Sequence, residues 1–122
     1  MTMLKMFVLP FSLATLLLAA RPASASTVDE CQALIAVLSD QTAAATYLRG
    51  DLGLKLEAQL LQHLSKTSNE LTLSDPKEAL RQMGDFSFTL ARGVDAAKID
   101  ATDAAALQVG ADGVVSCIQQ IQ

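Results

Sequence analysis

Tryptophan is absent from the chain, and tyrosine and histidine occur once each. So few rings leave little with which to stack nucleobases or sugars. Cations are scarce as well: nine Lys and Arg stand against thirteen Asp and Glu, a formal charge of −4. Nucleic acids and anionic membranes select basic patches, so neither is expected as a partner. There are two cysteines, Cys31 and Cys117, and no Cys-x-x-Cys, so a redox motif is absent.

The stock for catalysis is equally thin. His63, in "QLLQHLSK", is the single histidine, and no Gly-x-Ser-x-Gly context sets a serine beside it. Metal binding needs three or four converging ligands, and the acids are scattered along the chain. Neither the Glu-x-x-His of di-iron bundles nor a Cys-x-x-Cys-His haem attachment occurs. The expectation is a protein that is not an enzyme and has no catalytic residues, metal or cofactor. Noncovalent haem between His63 and Met83 is weighed against the simpler reading of Met83 as adaptable core filler, which is preferred.

What is present is helical. "STVDECQALIAVLSDQTAAATYL" puts Val28, Cys31, Ile35, Leu38 and Ala45 at alternating threes and fours, with Leu34 and Leu48 beside them. Thr27 and Glu30 form a capping box at its start. "LGLKLEAQLLQHLSKTSNEL" repeats Leu52, Leu56, Leu60 and Leu64 at spacing four, widened by Leu61. In "SDPKEALRQMGDFSFTLARGV", Asp75 suits the N-cap and Pro76 the first helical position. Its apolar face reads Leu80, Met83, Phe86 or Phe88, Leu90 and Val94. The last segment runs Leu107, Ala111, Val114, Ile118 and Ile121, with Asp100 available as cap. Its alanines and glycines should let neighbours approach closely. Helices are expected at about 28–48, 52–71, 76–94 and 101–121, forming an all-α, up-down-up-down four-helix bundle.

The N-terminus predicts a signal peptide over residues 1–25. Lys5 precedes an apolar run from Met6 to Ala20, and Ala23-Ser24-Ala25 matches a small-x-small cleavage site; cleavage after Ala20 is the alternative. The run holds Pro10 and falls short of the about 20 residues a spanning helix needs, so no stable membrane span is expected after cleavage. A secreted or periplasmic protein follows, with residues 26–122 as a single helical domain. In an oxidising compartment Cys31 and Cys117 read as a disulfide. The first turn of helix one and the last turns of helix four lie side by side in such a bundle. An intrachain bridge is therefore favoured over free thiols or links between chains, and a monomer over a dimer.

Arg49-Gly50-Asp51 raises the question of receptor adhesion. Gly50 suits a helix C-terminus, Arg49 the negative end of helix one and Asp51 the start of helix two. A turn explains the tripeptide without a receptor.

Residues 52–121 resemble FIMAH-type helical modules of bacterial secreted and cell-surface proteins, often found beside carbohydrate-active domains. The resemblance rests on Leu52, Lys55 and Leu56; on Ala79, Leu80, Met83, Phe86 and Val94; and on Ile99, Ala104, Leu107, Ala111 and Ile118. Gln59 departs from the usual small residue, and a cysteine-bearing helix precedes the matched region. The resemblance implies an interaction or spacer module without catalytic residues. The function expected is an accessory module that binds a protein or cell-envelope component. The alternative is a carrier holding a small apolar ligand between its helices. For either reading Met83, Phe86 and Phe88 are the candidate contacts, because "FSF" places rings on more than one side of a helix.

Overall fold

Thr27 and Glu30 open the first helix by exchanging two hydrogen bonds. The Glu30 amide donates to Thr27 Oγ1 at 3.1 Å, and the Thr27 amide donates to Glu30 Oε1 at 2.9 Å. The computed structural model describes residues 27–122. The expected signal segment and its cleavage site lie outside them. Four helices follow: α1 (Val28–Ala44), α2 (Asp51–Thr72), α3 (Pro76–Asp95) and α4 (Ala101–Ile121). Asp75 caps α3 by accepting from the Glu78 amide, and Asp100 caps α4 by accepting from the Asp103 amide. Each aspartate satisfies a donor that the first helical turn leaves free.

The helices form an up-down-up-down bundle in which each packs on two neighbours in a ring, α1–α2, α2–α3, α3–α4 and α4–α1. The α2–α3 interface is the most extensive. Leu38, Leu60, Leu64, Phe86, Leu107 and Ile118 fill the centre, drawn from all four helices. Cys31 and Cys117 are joined by a disulfide between the first and last helices, with Cα atoms 5.6 Å apart. Among the described residues no helix is long and apolar enough to cross a membrane.

Both α2 and α3 end in Schellman turns. At the end of α3, Lys98 N–H reaches the Gly93 carbonyl and Ala97 N–H the Val94 carbonyl; Asp75 and Ser74 repeat this at the end of α2. Ser74 (φ 61°) and Ala97 (φ 57°) hold the left-handed position where glycine is usual. The connection from α3 to α4 then pairs with the one from α1 to α2. Leu48 N–H donates to the Lys98 carbonyl at 2.8 Å and Asp100 N–H to the Thr46 carbonyl at 2.9 Å, around a Tyr47–Ile99 bridge.

That pairing corrects the expected end of helix one. α1 stops at Ala44, not at residue 48, because Thr46 and Leu48 place their backbone groups on the neighbouring connection instead of on a further helical turn. The Tyr47 hydroxyl folds back to donate to the Thr42 carbonyl at 2.6 Å. Burial and the nearby charges of Glu57 and Asp103 push the phenol up to about 12, burial contributing most.

Arg49-Gly50-Asp51 is the turn into α2, with Gly50 as its N-cap and not the C-terminus of α1. Gly50 adopts φ 58°, ψ −123°, a region open to glycine and closed to other residues. Arg49 compensates a different helix from the one expected. Its guanidinium donates to the Ala96 carbonyl at 2.9 Å, at the C-terminal end of α3. Gly53 lets the turn lie against α2: a Cβ there would meet the Leu48 carbonyl oxygen at 2.2 Å.

The buried faces follow the expected stripes with two shifts. Leu56, Leu60 and Leu64 are buried in α2, but Leu52 is exposed. In α3 the face centres on Ala79, Met83, Phe86 and Leu90, extends to Gly93, and leaves Val94 exposed.

Candidate functional site

Phe86 and Phe88 stand two residues apart on α3, a rotation of about 200° at 3.6 residues per turn. They therefore cannot share a face. Phe86 is fully buried, as is Met83, and both belong to the core; Phe88 is 63% exposed. Of the three candidate contacts, only Phe88 reaches the surface. Arg92, one helical turn on, sets its guanidinium carbon 5.7 Å from the centre of the Phe88 ring. The i, i+4 spacing makes this contact local to the helix.

Phe88 and Arg92 line a groove of about 520 Å³ between α2 and α3. Gln59, Gln62 and His63 come from α2, Thr89 from α3 and Lys98 from the connection after it. The helices can approach here because Gly93 lacks a side chain: a Cβ at that position would lie 2.4 Å from a Leu56 methyl. Leu56 closes the floor, and the polar side chains form the walls.

His63 is held in the wall by two long hydrogen bonds. Its Nδ1 lies 3.4 Å from Gln82 Oε1, and its Nε2 lies 3.3 Å from the Thr89 hydroxyl. A proton on Nδ1 satisfies both, with the ring donating to Gln82 and accepting from Thr89. Gln82 is buried, so its carbonyl needs this partner. His63 thus fixes the α2–α3 seam. Both its nitrogens are engaged within the protein, and Met83 lies in the core instead of facing the groove. Among the described residues no group of three or more His, Cys, Asp and Glu could hold a metal ion.

A second groove, of about 440 Å³, runs between α1 and α2 and is lined by hydroxyls and amides such as Ser39, Ser65 and Asn69. Gln32 bridges it, donating to the Ser68 carbonyl at 3.2 Å and to Thr72 Oγ1 at 3.0 Å. It carries no charged side chain and no ring. The α2–α3 groove combines two cations, an aromatic ring and hydrogen-bonding amides, and is the better equipped for recognition.

Arg92 and Lys98 line the groove and Gln82 braces its wall through His63, and none of the three stands out in the sequence as a candidate. The Phe-x-x-x-Arg spacing was a usable signal for Arg92. Nothing in the sequence pointed to Lys98, whose place in the groove depends on the pairing of the two connections.

No protein-family model matches the chain, and no curated protein or solved structure matches it significantly.

Proposed function

We propose that this chain is a non-catalytic interaction module, secreted or periplasmic, that binds a protein or cell-envelope component through the α2–α3 groove. The observation that carries the reading is the division between the two phenylalanines of α3. Phe86 and Met83 are spent on the core, while Phe88 stays exposed at the rim of a polar groove. A large exposed ring beside a concave surface is the kind of feature that marks a contact site. The disulfide supports an oxidising compartment. The resemblance of residues 52–121 to FIMAH-type modules points the same way, toward recognition without catalysis. A carrier of apolar ligands would need the Met83–Phe88 region to line an apolar cavity; Met83 and Phe86 are instead fully buried among core neighbours, and Phe88 lines a groove whose other side chains are mostly polar.

Native mass spectrometry of the protein taken from its host without denaturation tests this. The module reading expects a bare monomer, or a monomer bound to a macromolecule, with the disulfide intact. A discrete small-molecule mass carried by the protein would overturn it in favour of the carrier.

A further inference from the structure

Resting on the interaction-module reading, we infer that the α2–α3 groove receives an acidic, extended peptide segment of the partner, one of whose carboxylates pairs with Arg92. Charge is the first argument. In a chain with more acids than cations, the groove lining holds Arg92 and Lys98 and no Asp or Glu. Among the described residues the side-chain ion pairs are those of Arg81 with Glu78 and Asp85, so neither groove cation is neutralised by a carboxylate of the protein.

The second argument is pre-organisation. Arg92 lies over the Phe88 ring, which restricts the guanidinium and covers one face of the aromatic. A stacked arginine is a prepared reader of a carboxylate, and the covered ring is a poor platform for a sugar. The third argument is size. From Leu56 to His63 the α2 wall runs about 10 Å, the length of about three residues of extended chain. Along that wall Gln59 and Gln62 offer both donors and acceptors, which suits the alternating N–H and C=O groups of a peptide backbone.

The test is an NMR titration at low ionic strength with acetylated, amidated tetraglutamate. Tetraglutamine serves as the neutral control and trigalacturonate as the acidic sugar alternative. Saturable shifts are expected at Gln59, Gln62, Phe88 and Arg92, with no binding of tetraglutamine. Affinity should fall about tenfold in Arg92→Gln, the loss of one charge-assisted pair, and in the same direction in Lys98→Gln. Lys77→Gln removes the same charge outside the groove and should change affinity less than about twofold. Arg92 is exposed, so its variant should stay folded, with a melting temperature lowered no more than that of Phe88→Ala; Lys98→Gln provides a second variant if it unfolds. Equal losses in Lys77→Gln and Arg92→Gln, shifts away from the groove, preference for trigalacturonate, or no saturable binding would each overturn the inference. A failure of tetraglutamate alongside a macromolecular complex in native mass spectrometry would remove this inference alone. A bound small molecule would remove the module reading beneath it.

Discussion

Helices α1 and α4 carry five acids and no Lys or Arg, whereas every cation of the described residues lies on α2, α3 or the connections at their ends. The two halves also differ in how they are held. α2 and α3 share the most extensive interface of the bundle, with clean apolar stripes facing it. α1 buries two large aliphatic side chains, Ile35 and Leu38, leaves Leu34 and Val37 exposed, and is tied to α4 by the disulfide. One half is held by side-chain packing and bears the mixed charges from which a groove can be built. The other adds a covalent link to its packing. The α2–α3 groove lies on the half with the most extensive packing, the kind of rigid support that a recognition site requires.

The largest expected effect comes from cutting that link. A Cys31→Ser/Cys117→Ser double variant should lose about 4–5 kcal/mol in the chain-entropy account for a loop of this length, measured as a lowered urea midpoint. Amide exchange should then rise first in α1 and α4 while α2 and α3 remain protected. Uniform exchange across all four helices would erase the distinction between the halves.

Two phenylalanines give the next comparison. Phe86→Ala empties a fully buried site and should cost about 3–5 kcal/mol in thermal or urea unfolding. Phe88→Ala should cost about 1 kcal/mol or less, chiefly the contact with Arg92. A costly Phe88→Ala would mean that the ring supports the fold, and the groove would lose its exposed anchor.

A smaller effect lies at the corner joining the halves, where Tyr47 belongs to the α1–α2 connection. Its folded-state value of about 12 exceeds the ordinary 10.0, so the neutral phenol is favoured in the folded protein. The associated stability should be fully present below pH 10 and lost as pH rises from 10 toward 12, because the unfolded chain gives up its proton first. Tyr47→Phe should remove that alkaline decline. As the single tyrosine, Tyr47 alone reports through tyrosinate absorbance. Titration at its ordinary value would mean that water reaches the phenol and the corner is open.

The same contrast explains what could be read from the residues alone. Thr27 with Glu30, Asp75 with Pro76, and Asp100 are local capping signals, and the helices they open begin where the signals stand. The cysteines, placed near opposite ends of residues 26–122, anticipated the staple. The end of α1 was illegible because Ala45 to Leu48 continue the apolar pattern locally. Their backbone is taken instead by residues 98–100, fifty or more positions away in sequence. For the same reason the local sequence points Arg49 to the end of helix one, whereas the carbonyl it meets belongs to α3. Phe86 and Phe88 could not be separated until the stripe Ala79, Met83, Phe86 and Leu90 was fixed by its neighbours. The groove was least visible of all, since its cations become neighbours of Gln59 and His63 only after α2 and α3 pack.

The most direct measurement is photocrosslinking in the host, with a photoreactive phenylalanine analogue placed either at Phe88 or at Val109, which is 71% exposed on α4. Position 88 should give a discrete macromolecular adduct that Arg92→Gln weakens, and position 109 should give none. Equal adducts from both positions, or an adduct from position 109 alone, would contradict the assignment of recognition to the α2–α3 half.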